Sequence, residues 1–395
     1  MHLAQLSHSL PDYSLSAEEN AELQLFRESV RRFCAEDMAP HYAQWETEGM
    51  VPRELFRKLG DAGLLCVDVP DAYGGYGVPP HFSFAIVEEM GYAGFTGFCG
   101  GLQVHNDIVP PYLVAFGSEA QKQRWLPGMV SGEVVTAIGM SEPNAGSDLA
   151  AIKTSAVRSD DGYLINGSKI FISNGQHADM LLLAAKTDKS SGSRGISLFL
   201  VDASLPGYSR GSNLAKVGHK CADTSELFFD NLLVPHDALL GEEGSGFGMM
   251  MEKLARERLI IGVLAVGAAR GALDLTIDYV QERQAFGAPL SKLQNTRFKL
   301  AEMHTRLLAN TSFMQQCFTA CRNGQLTPEL GAAFKLHATE MQCEVIDECL
   351  QLFGGYGYMS EYPISRAWAD ARVQRIYGGT SEIMKEVVAR ALVGK

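Results

Sequence analysis

Three regimes of hydrophobic patterning divide the chain. From about Ser16 to Ser131 apolar residues recur at three- and four-residue spacing, as in Leu23, Phe26, Val30 and Phe33. That period predicts amphipathic helices, the first opened by Ala17-Glu-Glu-Asn, with Gly74-Gly75 and Pro79-Pro80 as punctuation. From Gly132 to about Gly241 the apolar runs shorten to strand length. Ile170-Phe-Ile, Met180-Leu-Leu-Leu-Ala-Ala, Ile196-Ser-Leu-Phe-Leu-Val and Leu227-Phe-Phe lie between Gly, Asn, Asp and Ser clusters, which predicts a compact β-domain. After Gly246 long helical runs return, at roughly 246–285, 292–322, 328–353 and 380–393. The expected fold is mainly α with a central β-domain. It divides into an N-terminal helical domain (1–131), a middle β-domain (132–241) and a C-terminal helical bundle (242–395).

Composition narrows the function. A chain of 395 residues with 46% hydrophobic and 20% charged content suits a globular protein of two or three domains. The net charge of −12 opposes a nucleic-acid partner, which needs a basic face. No uninterrupted apolar run has the length of a membrane span. The first residues, Met-His-Leu-Ala-Gln-Leu-Ser-His, lack the basic start and apolar core of a signal peptide. Eight scattered cysteines form no compact disulfide framework, and Cys317 and Cys321, one helical turn apart, read as buried helix positions and not as metal ligands. No metal site is expected, and the compartment expected is cytoplasmic and reducing.

The chemistry concentrates in five segments: Gly139-Met-Ser-Glu-Pro-Asn-Ala-Gly-Ser-Asp148, Lys169-Ile-Phe-Ile-Ser-Asn-Gly175, Gln281-Glu-Arg-Gln-Ala-Phe-Gly287, Gln351-Leu-Phe-Gly-Gly-Tyr-Gly357 and Arg375-Ile-Tyr-Gly-Gly-Thr-Ser-Glu-Ile383. None is a Rossmann fingerprint. In this order and spacing they resemble the acyl-CoA dehydrogenase family over essentially the whole chain. The resemblance implies an N-terminal helical domain, a middle β-barrel domain and a C-terminal four-helix bundle. It also implies FAD as cofactor, an acyl-CoA substrate, electron-transfer flavoprotein as acceptor and a homotetramer built as a dimer of dimers. Family members take a proton from the α carbon with a carboxylate while the β hydride passes to flavin N5.

The position of that carboxylate distinguishes this chain. Many relatives carry a Glu in a Tyr-Glu-Gly-Thr loop, but here the loop reads Tyr377-Gly378-Gly379-Thr380. Long-chain and isovaleryl-type members carry the base on a helix just before an Arg, and Arg256-Glu257-Arg258 stands at the matching place. The helix itself supports this. Met250, Leu254, Glu257, Ile261, Leu264 and Ala268 form one stripe on which Glu257 is the only charge. Burial there should raise its pKa, as a carbon-acid base requires. The competing reading is a Glu neutralised by an arginine. The resemblance gives Gly378, Gly379 and their loop the remaining role of donating N–H to the thioester oxygen.

Matching motif to motif assigns the cofactor contacts. Ile138, Met140, Ser141, Gly146 and Ser147 would line the flavin and pyrophosphate, with Phe171, Ile172 and Ser173 beside the ring. Many relatives have Trp and Thr where Phe171 and Ser173 stand. Arg283, Phe286, Gln294, Gln351, Gly354 and Gly355 would meet the FAD of an adjacent subunit, and Thr380 and Glu382 resemble the contacts to the adenosine end. Ser147 and Arg258 would touch the CoA portion. Taken singly, Arg283 also reads as a helix-end charge and Gln351-Leu-Phe-Gly-Gly as a helix cap. Gly100 and Gly101 are expected to open a deep acyl tunnel for a medium, long or branched chain.

Two segments imitate other sites. Gly244-Ser-Gly-Phe-Gly248 has Met249 where a dinucleotide loop needs its third glycine, so it reads as a helix entry. His105, isolated among apolar residues, reads as a hydrogen-bonded core histidine. Competing functions are an oxygen-using oxidase on the same fold and a non-catalytic binding or scaffold member. The intact Glu257 and acidic charge oppose the latter.

Overall fold

The computed structural model describes residues 15–394, so the N-terminal octapeptide weighed above as a leader lies outside them. Seven helices open the described chain: α1 (Ala17–Phe33), α2 (Tyr42–Glu48), α3 (Glu54–Asp61), α4 (Pro80–Tyr92), α5 (Thr96–Gln103), α6 (Val109–Phe116) and α7 (Glu119–Ser131). Ser16 caps α1 in a reciprocal box with Glu19, which satisfies two otherwise orphaned N–H groups. Between α5 and α6 a single π-helical turn, Val104–Ile108, turns His105, Asn106 and Asp107 inward.

The middle region is one eight-stranded sheet, β1 (Thr136–Gly139), β2 (Ser155–Ser159), β3 (Gly162–Ser173), β4 (Met180–Lys186), β5 (Ile196–Asp202), β6 (Tyr208–Asn213), β7 (Thr224–Val234) and β8 (Leu239–Leu240). Its order is β6-β7-β3-β2-β4-β5-β8, with β1 pairing parallel to β4. The continuous apolar runs of β4 and β5 have a physical reason. Leu181, Leu183 and Ala185 face the β-domain core, and Met180, Leu182 and Ala184 pack into the helical core on the other side. A strand buried on both faces cannot alternate in polarity.

The C-terminal helices are α8 (Gly246–Glu282), α9 (Gln294–Arg322), α10 (Pro328–Phe353), α11 (Pro363–Ala371) and α12 (Ser381–Val393). Four coincide with the periodic runs; the nine-residue α11 does not appear among them. Although charges such as Arg270 interrupt its apolar run, α8 as a whole is long and apolar enough to span a bilayer by length and composition. Its apolar length is instead mostly buried, because it is the central helix of the fold and not an exposed span. Gly244 makes a turn into this helix and donates its N–H to Ser197 Oγ at 2.8 Å, as a helix entry should.

Small residues set how closely α8 approaches its neighbours. A Cβ at Gly262 would overlap the Phe334 ring of α10, and one at Gly267 or Gly271 would overlap the carbonyl of Glu88 or Tyr92 on α4. A buried charge network joins the same helices. Arg27 of α1 pairs with Glu88 at 2.5 Å and with Glu89 at 2.6 Å, and Arg270 of α8 pairs with Glu88 at 2.7 Å. Burial pushes Glu88 up, but Arg27 and Arg270 outweigh it and bring the pKa down to about 2.

This packing predicts an inversion of helix propensity. Gly→Ala inside a helix ordinarily stabilises by roughly 1 kcal/mol. Gly271→Ala should instead destabilise, by about 1–3 kcal/mol, because the Tyr92 carbonyl cannot retreat without moving α4. Gly248→Ala, on the same helix with nothing within 4 Å of the added carbon, should not destabilise. Denaturant melts of both variants check the pair; equal midpoints would show that the helices do not pack this closely.

Candidate active site

Glu257 sits on α8 with 7% of its surface exposed. Its Oε1 accepts a hydrogen bond of 2.8 Å from the hydroxyl of Tyr112, a fully buried residue of α6. Neither flanking arginine neutralises it. Arg256 is committed to Asp68 and, at 3.6 Å, to Asp107, whose other partner is Ser83 at 2.6 Å. Among the described residues no lysine or arginine nitrogen lies within 4.0 Å of the Glu257 carboxylate. Burial therefore dominates and raises its pKa to about 7, against smaller downward pulls from Tyr112 and Arg258. The result is a carboxylate poised between its two forms at neutral pH.

The Tyr377–Thr380 loop is brought to the same turn of α8. Gly378 adopts φ +63 and Gly379 φ +96, both in the region that favours glycine. A Cβ at Gly378 would overlap Ile261 Cδ1, one helical turn beyond Glu257. Fully buried Lys335 of α10 donates to the carbonyls of Tyr377, at 2.8 Å, and Gly379. Arg258 is buried next to Glu257 in sequence, and its charge helps depress the pKa of Lys335. Thr380 caps α12 by accepting from the Ile383 N–H at 3.3 Å, with Glu382 exposed in the first turn.

The two β-domain segments meet as well. The N–H of Ile170 donates to the Ser141 carbonyl at 3.0 Å. Lys169, buried, donates to the Met140 carbonyl and to Glu142 Oε1, each at 2.9 Å, and Glu142 in turn accepts from the N–H groups of Lys153 and Thr154. This pins a loop of short side chains in which Gly146 and Ser147 stand exposed, with open space beside Gly146. The β3–β7 register shifts between Lys169 and Ile172. At that irregularity Phe171 takes φ +61 and leaves 68% of its surface exposed, while Ile172 turns inward and Ser173 is half-buried. Ile138 is half-buried at the end of β1.

One stretch of the N-terminal domain ties these parts together. Gln103 donates to the Ile260 carbonyl of α8 at 3.0 Å, and His105 contacts Thr136 Oγ1 of β1 at 3.2 Å and the Met129 carbonyl at 2.9 Å. His105 is a core histidine, as expected, and burial lowers its pKa to about 4. Gly100 and Gly101 stand where their neighbours come close. A Cβ at Gly101 would overlap Asn174 Oδ1, and one at Gly100 would meet His219 at 3.4 Å. Asn174 uses that closeness to donate to the carbonyls of Gly101 and Thr136.

A separate open cavity of about 580 Å³ gathers Arg283, Gln351, Gly354 and Gly355 with Tyr279, Tyr356 and Met359. Arg283 lies over the Tyr356 ring at 5.2 Å. Gln351–Gly354 is locally the end of α10, yet the same turn lines the cavity. Phe286, 97% exposed at the tip of a two-residue-stranded hairpin (Gln284–Ala285, Ala288–Pro289), and Gln294 at the start of α9 are outside its lining.

Residues 20–133, 137–232 and 244–393 match the N-terminal, middle and C-terminal domains of acyl-CoA dehydrogenases. The chain belongs to the acyl-CoA dehydrogenase family. It is 42% identical to the long-chain specific acyl-CoA dehydrogenase of Sus scrofa mitochondria over 97% of this chain and 89% of the relative. An acyl-CoA dehydrogenase structure from Geobacillus kaustophilus superposes with a TM-score of 0.93 at 44% identity, covering 97% of this chain and all of the other. A glutaryl-CoA dehydrogenase from Mycobacterium smegmatis, solved in complex with FADH2, has a TM-score of 0.90 at 30% identity over 97% and 96%.

The chain is thus an acyl-CoA dehydrogenase enzyme of an FAD-dependent family. Its residues fit a flat flavin. An exposed phenyl ring is held at positive φ, a hydroxyl lies two residues on, and an open glycine-serine loop is pinned by Lys169 and Glu142. Tyr112, Lys169, Glu142 and Lys335 are the partners that motif matching missed. Lys335 carries the one available signal, a lone charge on the apolar face shared with Phe334, Ala338 and Met341. The Tyr112 contact spans 145 residues of sequence and leaves no local trace.

If Glu257 must be ionised to act, the fraction of active base should rise with pH through about 7, which sets the ascending limb of the profile. Tyr112 donates to the ionised form and so lowers this pKa. Tyr112→Phe should therefore move the ascending limb of kcat/KM upward by about one unit. A limb that stays in place would show that the Tyr112 hydroxyl does not reach Glu257 in the working enzyme.

Proposed function

We propose that this enzyme introduces a double bond between the α and β carbons of a saturated acyl-CoA thioester, with Glu257 as the base. The observation that carries the reading is the pairing of a buried, uncompensated carboxylate on α8 with a loop whose corresponding side chain is absent at Gly378. Burial makes the Glu257 carboxylate more basic than one in water, and the proton it takes from the α carbon leaves it neutral in an apolar surrounding. Negative charge then develops on the thioester oxygen, where N–H groups of the Gly378–Gly379 turn would receive it.

FAD, held by Ile138, Met140, Ser141, Gly146, Ser147, Phe171, Ile172 and Ser173, would supply the two-electron acceptor. The cavity of Arg283, Gln351, Gly354 and Gly355 would receive the diphosphate end of an adjacent subunit's FAD in a homotetramer, with Phe286 and Gln294 as further contacts, while Thr380 and Glu382, at the start of α12, would meet the adenosine end of an FAD. A guanidinium fork suits such oxygens, and Phe286, almost wholly exposed, has the character of a residue awaiting a second surface. Ser147 is exposed and suits the CoA portion, whereas Arg258 is buried beside the reacting end. A medium, long or branched acyl group agrees with the similarity to the long-chain enzyme. Electron-transfer flavoprotein is the proposed acceptor. A reducing, cytoplasmic compartment suits the eight free cysteines.

An anaerobic titration with saturated acyl-CoAs of graded length and branching tests the reading through the oxidised-flavin absorbance. A subset of thioesters should bleach the wild type. Glu257→Gln should bind FAD and the same thioesters yet react about 10²–10⁴-fold more slowly. Near-native turnover in that variant would overturn the assignment of the base, and a wild type that takes up no FAD would overturn the whole reading.

A further inference from the structure

The buried ammonium of Lys335 has no carboxylate within 4.0 Å among the described residues, and its acceptors are two backbone carbonyls, those of Tyr377 and Gly379. Burial, with Arg258 nearby, pushes its pKa down to about 7, while Glu340 opposes the fall. A cation kept in the interior under those conditions costs free energy. Pinning a loop to a helix could be done more cheaply by a neutral side chain. The arrangement makes sense through what lies on the far side of each clamped peptide.

A trans peptide points its C=O and N–H in opposite directions, and among the described residues there is no cis peptide. Turning the Tyr377 carbonyl toward Lys335 therefore turns the Gly378 N–H away from it. Turning the Gly379 carbonyl the same way does likewise for the Thr380 N–H. Gly378 lies against Ile261, one turn along α8 from Glu257, so the N–H turned away from Lys335 belongs to the part of the loop packed on the helix that carries the base. The ammonium also draws electron density toward the carbonyl oxygen, which makes the N–H at the other end of that peptide a stronger donor.

We infer that Lys335 is a positioning residue for the reaction: by holding the carbonyls of Tyr377 and Gly379 it aims and strengthens the Gly378 N–H that receives the thioester oxygen. This rests on the dehydrogenation reading above. Lys335 touches no substrate atom in this scheme. It acts through the loop, from behind, as a cation one peptide removed from the developing charge.

The test uses the FAD-loaded enzyme and para-dimethylaminocinnamoyl-CoA, an already unsaturated thioester that absorbs further to the red as its carbonyl is hydrogen-bonded. Lys335→Met should bind the probe but lose more than half of the red shift seen with wild type. With a saturated acyl-CoA its kcat should fall by about tenfold or more while KM changes little, because the interaction lost strengthens only as charge develops. Lys335→Arg, which keeps a cation with forked donors, should recover both readouts in part. If Lys335→Met does not fold, Lys335→Leu, which likewise removes the donor and the charge, is read the same way. A folded, FAD-replete Met or Leu variant with native red shift and native kcat would overturn the inference, whatever its thermal midpoint. A wild type that binds the probe without any red shift would remove the thioester site itself, and the inference with it.

Discussion

A carboxylate held in the interior without a cation beside it raises the free energy of the folded chain, and the packing around α8 has to absorb that cost. The helix is gripped on one side by α4 and on another by α10, with Gly262, Gly267 and Gly271 letting the backbones and the Phe334 ring come close. The Arg27–Glu88–Arg270 network ties α1, α4 and α8 together a few turns away, in a region where the charges are paired. Glu257 sits in the same helix with only a neutral hydroxyl for a partner. Loosening of this grip would let water reach the carboxylate, and its pKa would relax toward the ordinary range.

The β-domain solves a related problem with a different device. Its sheet is buried on both faces at β4 and β5, so it can be rigid where it meets the helices and irregular toward the end of β3. Phe171 leaves the regular strand geometry there, and the buried Lys169–Glu142 pair keeps the neighbouring loop from collapsing into the space so made. Buried ion pairs are weak evidence for stability in general. Here the pair also binds three backbone groups, which assigns it to holding a shape.

Much of this was legible from the chain because both regular patterns report burial. The stripe from Met250 to Ala268 exposed Glu257 as its lone charge, and the short apolar runs at 180–185 and 196–201 marked strands of the β-domain. Lys335 stood on its helix in the same way as Glu257 and passed unnoticed, since no motif named it. Other features were out of reach. The Tyr112–Glu257 bond and the Gly101–Asn174 contact join segments that fold together only in three dimensions. At Gly100 and Gly101 small size was visible, but not the side chains that press on them. The short α11 was missed because nine residues begun by a proline carry too little periodicity to separate from a turn.

The contact between Gly378 and Ile261 bears on how such a site changes over generations. A side chain restored at position 378 would have to tolerate a left-handed backbone and displace the tip of Ile261 at the same moment. A carboxylate appearing there while Glu257 remains would also bring two like charges to one buried pocket. On the proposed assignment of the base, the left-handed backbone and the charge already present oppose that substitution more than the movable tip of Ile261 does, so the two placements are epistatic: each is tolerated best where the other is absent.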